Sequence, residues 1–581
     1  MSKCYKRNFG GFSQSFLFLL LFSIFIFLSN PALVQAQDIP WWKDAAGPAY
    51  QVLVYSFADS DGNGYGDIQG LIQNLDYLND GNPQTRNDMN ISALWLSPIN
   101  PASSYHGYDV KDYKAIDPKL GSMEDFDELV RDAHQRGIKI ILDMVFNHTS
   151  REHPWFLEAM KSAPSPYVDY YRTKQNGVSF GASGMGRFYQ YTRPDGSMFE
   201  YFSAFWEGMP DLNLDNTDVV NELKDVLAFW LNRGVDGFRF DAAKHIFDPN
   251  ELPLGSPALA LNKAFWNDLR RSARRIKPDV YCIGEVLTES LLEVSSYSGV
   301  FDSLFDFPTA RQVMNVVRRM SATGFINSYQ NIYDQYSRIP AFQPATLLSN
   351  HDQDRYISSL MTSLGLDAVK GWKVEASDSE QVRATKAMAL TRAKMAASIY
   401  QTLPGLPYVY YGEELGMTGR RYKNDDVARR DAFKWNETAE KPMVAWMKSS
   451  GKVEPGQNTL TPSVQEQLRD PESLLRHYLR LSELRQTSPA IRQGNFTKIS
   501  WAGFDSSYML AWIRESDTQW VLVLHNLESS SFTAMVPQDT KLTLLWTSGQ
   551  GLIPEMDRVV LNPGQALSLG PVQSAVYEIL K

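Results

Sequence analysis

The segment GVDGFRFDAAKH, residues 234–245, drives an arginine and an aspartate into an apolar run. Phe238 and Phe240 alternate with Arg239 and Asp241, and this period of two predicts a short strand with one apolar face and one ionic face. Charges placed on a buried face need partners or a chemical role.

Seven further runs have the same character: YQVLVYSF (50–57), ISALWLSPI (91–99), IKIILDMVF (138–146), VYCIGEV (280–286), FDSLFDF (301–307), ATLLSNHD (345–352) and LPYVYYGEE (406–414). Amphipathic stretches such as MEDFDELVRDAHQRG (123–137) and VVNELKDVLAFWLNRG (219–234) separate them. Strands alternating with helical patterns predict an α/β chain, a (β/α)8 TIM barrel of parallel strands. In such barrels the chemistry sits at the C-terminal strand ends, which here carry Asn147-His148, Asp241, Glu285 and His351-Asp352. The barrel is expected over 37–148 and 210–490. The connection 149–209, which follows strand 3, is too long for a simple loop and dense in Tyr, Phe and Gly; it predicts a small inserted domain overhanging the barrel mouth. After about residue 491, runs such as TQWVLVLHNLE and SAVYEIL predict a C-terminal antiparallel β-sandwich domain over 491–581.

At the start, Lys3, Lys6 and Arg7 precede an apolar run from Phe16 to Leu28, and Val34-Gln35-Ala36 fits a small-residue cleavage site. The run is short for a membrane span, so residues 1–36 read as a signal peptide and the mature chain as secreted, extracellular or periplasmic. Removing them takes away three basic and no acidic residues, which moves the net charge from -9 to -12. It also removes Cys4, which lies ahead of the apolar run where no lipid anchor forms. Cys282 then stands alone, so stability must come from a large core rather than a disulfide. The acidic balance excludes nucleic acid and anionic membrane as partners. Fourteen Trp and 28 Tyr suit a neutral ligand that stacks on rings, and a monomer is expected.

An aspartate two residues beyond an arginine on one face is oriented by the guanidinium fork, which poises Asp241 as a nucleophile. Glu285 follows apolar residues and is expected to have a raised pKa, as an acid needs. Asp352, beside His351, is a third acid. Two carboxyl groups about 5 to 5.5 Å apart define a retaining glycosidase. Each of these motifs alone is as readily a structural ion pair or a chance dipeptide; their order gives them weight.

The stretch DSDGNGYGD (59–67) sets oxygen-bearing Asp59, Asp61, Asn63 and Asp67 at alternate positions, with the Tyr65 carbonyl between them. Hard oxygen ligands on a Gly-rich loop suit calcium. The EF-hand pattern then fails, because position twelve is Gly70 and no helix precedes Asp59.

Taken together, DMVFNH (143–148), MPDLN (209–213), GFRFDAAKH (237–245), GEV (284–286) and LLSNHD (347–352) resemble the ordered motifs of the α-amylase family of glycoside hydrolases. YHGYD (105–109) and YYGEELGM (410–417) match further family stretches, and the resemblance covers essentially the whole chain after the leader. MPDLN points to the branch intermediate between α-amylases and the oligo-1,6-glucosidase and neopullulanase groups.

The resemblance implies that Asp241 forms a covalent glucosyl intermediate, Glu285 serves as general acid/base, and Asp352 grips sugar hydroxyls. Arg239 would fix the nucleophile and Asp143 would support it. His148 and His351 would bond the hydroxyls of the sugar being cleaved, Tyr108 would stack on it, Lys244 and His245 would line the leaving-group side, and Arg355 would lie near the non-reducing sugar. The loop after the first strand would bind calcium, and a second calcium would use Asn147 and the His245 carbonyl. One or two of Tyr189, Tyr191, Phe199, Tyr201, Phe202, Phe205 and Trp206 would face the cleft.

Ala242, after the nucleophile, resembles members acting on α-1,4 bonds, whereas α-1,6-specific members tend to carry valine. The expected activity is a secreted α-amylase cleaving internal α-1,4 bonds of starch or maltooligosaccharides with retention. The alternatives are a cyclodextrin- or oligosaccharide-preferring hydrolase and a 4-α-glucanotransferase on the same site. A non-catalytic sugar-binding relative is a remote reading, because all three carboxylates are present.

Overall fold

The computed structural model describes residues 39–161, 165–174, 186–248, 252, 256–438, 441–504 and 506–580, apart from the side chains of 448 and 449. The expected leader over 1–36 lies outside the described residues.

Among the described residues ten strands precede residue 411: β1 (Ala49–Val52), β2 (Ala93–Leu96), β3 (Lys139–Met144), β4 (Arg187–Thr192), β5 (Met198–Ser203), β6 (Gly237–Phe240), β7 (Tyr281–Gly284), β8 (Ser303–Leu304), β9 (Ala345–Thr346) and β10 (Leu406–Tyr410). All but β4 and β5 pair in parallel, in the order β8-β7-β6-β3-β2-β1-β10-β9. A parallel bridge from Phe305 to Ala345 brings the two ends of this sheet together, so the eight strands make a (β/α)8 barrel. Seven of them lie within the apolar runs; β1 starts one residue ahead of its run, 50–57, whose second half, Val54–Phe57, is a helical turn instead of strand.

The alternation seen at 237–241 sorts side chains between two environments. Phe238 and Phe240 face outward into the layer between strands and helices, where Phe240 meets Trp266 of the helix Ala258–Ile276 at 4.7 Å between ring centroids. Arg239 points into the barrel, level with Asp143 on β3 and Ile283 on β7. Below that level Trp95, Ile141, Tyr281, Phe305 and Tyr408 fill the interior. Gly237 must be a glycine at this level: a Cβ there would lie 2.7 Å from the Tyr281 carbonyl oxygen and 2.9 Å from its Cβ.

Between β3 and β6 the chain leaves the barrel for the helix Pro154–Lys161 and the antiparallel hairpin β4–β5. Bridges from His148 to Asp211 and from Tyr171 to Leu212 fasten this insertion to the barrel rim. The C-terminal strands form a seven-stranded antiparallel sheet facing a two-stranded one, Phe532–Met535 with Ala566–Leu569, as a sandwich. Their shared core includes Leu522, Leu524, Leu567 and Tyr577. The first of these strands, Asn495–Lys498, follows a short helix, Pro489–Gln493. Buried Arg514 ties sandwich to barrel, donating from Nη1 to the Thr402 carbonyl (2.7 Å) and from Nη2 to that of Gly494 (2.8 Å). Among the described residues no helix is long and apolar enough to cross a membrane.

Trp230 tests how the barrel's outer layer is held. It lies fully buried on the helix Thr217–Asn232, edge-on to Phe126 of the helix Met123–Gln135, and its Nε1 donates to the Tyr113 carbonyl (2.9 Å). Trp230→Ala should cost about 3–5 kcal/mol, read as a lowered denaturation midpoint. A loss below about 1 kcal/mol would show that neighbouring helices refill the space, contrary to the close packing described.

Candidate active site

The strand ends converge on one guanidinium. Arg239 is wholly buried, and its Nη1 donates to Asp143 Oδ1 and Asp241 Oδ1, each at 2.7 Å. Its Nη2 lies 2.8 Å from Glu285 Oε1. Backbone bonds between neighbouring strand ends set this register: Asp241 N donates to Met144 O and Glu285 N to Phe240 O, both at 3.0 Å. Ala242, immediately after Asp241, adopts a left-handed φ of 47°, which turns the chain so that its N–H meets Glu285 Oε2 at 3.3 Å.

Asp352 enters from the loop after β9. Arg430 Nη2 reaches its Oδ1 at 3.0 Å, and His351 Nε2 its Oδ2 at 3.1 Å. Gln51 donates to His351 Nδ1 (2.8 Å), which leaves the ring proton on Nε2. That nitrogen meets the Tyr108 hydroxyl, whose own proton goes to Asp143 Oδ2 (3.0 Å). The His351 and Tyr108 rings stack with 2° between their planes.

Burial pushes the Glu285 carboxyl up to about 8; Arg239 opposes the rise, and Asp241 and Asp352 add to it. Asp143 is likewise pushed to about 7 by burial, against the pull of Arg239. Burial would raise Asp352 too, but His351, Arg430 and Arg239 outweigh it and hold this carboxyl below the usual range. Burial lowers His351 to about 3 and lowers His148, so both rings are neutral at pH 7. Glu285 therefore keeps its proton at pH 7, as the acid of a retaining glycosidase must.

These groups open into a cavity of about 750 Å³. Asp241, Glu285, Asp352, Tyr108, His148, Lys244 and His245 all line it. Lys244 is braced by the Leu287 carbonyl (3.1 Å) and Glu293 (3.2 Å), and His245 by Asp248 (2.7 Å). Of the seven aromatics named in the insertion, Phe205 and Trp206 reach the cavity, while Phe199, Tyr201 and Phe202 are buried in the insertion's own packing.

Two of the expected residues are not among those lining the cavity. Arg355 is buried, donates to the carbonyls of Tyr411 (2.7 Å) and Arg429 (3.1 Å), and lies over the Tyr410 and Tyr411 rings. As the first residue before the helix Tyr356–Ser363 it points inward, which the motif NHDQDR does not reveal. His351 is fully buried and contacts both Tyr108 and Asp352 through Nε2. Sequence reasoning also missed Arg430, which holds Asp352 by its side chain and the His351 carbonyl by Nε (3.2 Å). Its run DDVARRDAF has no pattern that separates it from a solvated charge cluster.

At the loop after β1, Asp59, Asp61 and Asp67 each present a carboxylate oxygen within 4.8 Å of the others, so the three can coordinate a divalent cation. The Asn63 side-chain oxygen instead accepts the Tyr65 N–H (2.7 Å), and the Tyr65 ring stacks on Trp446. At the second expected calcium site Asn147 donates to Asp211 (3.2 Å), but no set of three ionisable ligands gathers there among the described residues.

The family described as "Alpha amylase, catalytic domain" matches residues 51–494. Alpha-amylase 3 of Dictyoglomus thermophilum is 37% identical over 509 residues, covering 87% of this chain and 89% of its own. An oligo-1,6-glucosidase of Parageobacillus thermoglucosidasius is 28% identical, over 93% of this chain and 99% of its own. The crystal structure of an α-amylase from H. orenii superposes with a TM-score of 0.74 at 34% identity, covering 92% of this chain and 99% of that one.

The raised pKa of Glu285 fixes the alkaline limb of turnover. For an α-glucoside substrate kcat/KM should stay level until pH approaches about 8, then fall about tenfold per unit as Glu285 loses its proton. Glu285→Gln should remove this limb on a substrate whose leaving group needs no proton. A wild-type limb centred near the ordinary glutamate range, about 4.3, would show that Glu285 is not the acid.

Proposed function

This chain belongs to the α-amylase family of glycoside hydrolases, and within it we propose that it hydrolyses α-1,4-glucosidic bonds of maltooligosaccharides with retention. The observation that carries the reading is the sharing of Arg239 between Asp241 and Glu285 at the floor of the cavity. In the first step an Asp241 oxygen attacks the anomeric carbon while the bond to the leaving oxygen breaks and Glu285 gives that oxygen its proton. In the second, Glu285 takes a proton from water, whose oxygen displaces Asp241 and restores the original configuration. Asp352, held by Arg430, grips hydroxyls of the same glucosyl unit and strengthens its hold as the ring flattens.

The α-1,4 preference is supported by Ala242. It lines the cavity at positive φ, where a β-branched valine would be strained and would narrow the space beside Glu285. A preference for short substrates is supported by likeness to an oligo-1,6-glucosidase over nearly the full chain. Internal cleavage of starch is the second reading, favoured by the 37% identity to an α-amylase. We assign calcium to the Asp59, Asp61 and Asp67 cluster, where it would tie the loop after β1 together, and export to the 1–36 leader.

Products from maltoheptaose, soluble starch and β-cyclodextrin separate these readings, with maltoheptaose expected to give the highest kcat/KM. A starch rate per bond exceeding it would favour the second reading. Asp241→Asn should lower turnover by several orders of magnitude while leaving the fold intact, since it removes the nucleophile but little volume. Near-normal hydrolysis by that variant would end the assignment. Excess chelator should lower the Tm, because an ion at 100 times its Kd adds about 2.7 kcal/mol to the native state. An unchanged melting curve from a metal-free protein would remove the ion.

A further inference from the structure

A tryptophan lies one inward-facing layer below the acids. Trp95 of β2 pairs in register with Ile141 of β3, two residues before Asp143, and it is 1% exposed. It is not among the residues that line the cavity, so a bound sugar does not meet it. Its ring packs against Phe305 (centroids 5.2 Å apart) and Tyr408 (6.2 Å). The Tyr408 hydroxyl donates to that of Tyr281 (3.2 Å), and Trp41 and Trp42 pack on the Tyr281 ring. An indole held this firmly has one polar atom to place.

That atom goes to Asp143. Trp95 Nε1 donates to Oδ2 (3.2 Å), which also accepts the Tyr108 hydroxyl (3.0 Å), while Arg239 Nη1 occupies Oδ1 (2.7 Å). The face of the same ring lies 5.2 Å from Arg239 Cζ, and His351 stands edge-on to it at 5.9 Å. One side chain thus touches the buried cation by its face and the cation's partner by its N–H.

The donors around the two raised acids differ. An indole N–H and a guanidinium can only donate, and the Tyr108 hydroxyl is turned toward Asp143 by the proton it receives from His351 Nε2. Asp143 therefore meets three donors and, among the described residues, no acceptor, surroundings that favour the carboxylate. Glu285 meets Arg239 at Oε1, has only a long contact from the Ala242 N–H (3.3 Å) at Oε2, and lines the cavity. Burial raises both acids, so they compete for protons around one guanidinium, with Asp241 near each and Asp352 near Glu285. We propose that Trp95 is a positioning residue for the catalytic proton: its N–H holds Asp143 as the ionised partner of Arg239, which leaves the proton on Glu285. The proposal rests on the hydrolase reading above and assigns the choice of proton donor to a residue outside the cavity.

The test reads the alkaline limb of kcat/KM on maltoheptaose, whose leaving sugar needs the Glu285 proton. Trp95→Phe keeps a ring and removes the donor. Asp143 then holds its own proton to higher pH, Arg239 loses an opposing charge, and the guanidinium draws the proton off Glu285 at lower pH. The limb should move about one pH unit toward acid, so that kcat/KM on its alkaline side falls about tenfold. Asp143→Asn, which fixes that side chain neutral, should shift the limb the same way, and Trp95→Phe added to it should shift it no further. Phe305→Leu loosens the packing but keeps the N–H, so it should lower the Tm and leave the limb in place. The proposal fails, and the hydrolase stands, if Asp143→Asn or a folded Trp95→Phe leaves the limb unmoved, or if Phe305→Leu moves it as far. A wild-type enzyme that does not cleave maltoheptaose would overturn both.

Discussion

The structure turns on one buried cation surrounded by more negative charge than it can neutralise. Arg239 contacts Asp143, Asp241 and Glu285 with no exposure to water. Three ionised carboxyls around one guanidinium would leave two uncompensated charges inside the barrel, and burying even one is costly. The site lowers that cost by keeping protons. Burial raises Glu285 and Asp143, the raised groups differ in what else they touch, and only Glu285 opens onto the cavity. The proton donor therefore follows from the charge balance of the barrel interior.

Much of this was legible because it is local. Period-two alternation at Phe238-Arg239-Phe240-Asp241 correctly assigned the faces of β6, and seven of the eight apolar runs contain a barrel strand, including β8 and β9, which are two residues long, while the run 50–57 overlaps β1 and ends in a helical turn. The helix over 123–135 falls inside its amphipathic stretch, and that over 217–232 overlaps the stretch 219–234, starting two residues earlier at its Asn216 cap. Glu285 behaves as its apolar flanks imply. What escaped depends on direction or on distant partners. Arg355 lies three residues beyond Asp352, yet the helix that starts at Tyr356 turns it inward. Arg430 finds Asp352 across 78 positions, a pairing that no local pattern encodes.

The division of labour between scaffold and loops has a physical basis. Strand positions are fixed by repeated hydrogen-bond registers, so Asp143, Arg239 and Glu285 inherit their spacing from the sheet. Loop residues need separate restraints, and here these are ionic: Arg430 and Arg429 hold Asp352, Lys452 holds Asp425, and Glu293 braces Lys244. Strand-borne chemistry can stay constant while such restraints are exchanged, which is how one barrel face accommodates relatives named for different glucosides.

A second set of buried acids shows why a raised pKa does not by itself mark a site. Glu413 and Glu414, at the end of β10, are as buried as Glu285, and burial pushes them to about 8 and about 6. Their partners are tyrosines: Tyr400 and Tyr478 donate to Glu413 (2.9 Å each), Tyr50 (2.8 Å) and Tyr77 (2.7 Å) to Glu414. Neutral hydroxyls satisfy one oxygen of each carboxyl without bringing a counter-charge, and neither residue reaches the cavity. The pair is therefore committed to holding the end of β10 to β1 and to the helices that carry Tyr77, Tyr400 and Tyr478. Glu285 differs in having an arginine on one side and open space on the other, so its proton has somewhere to go.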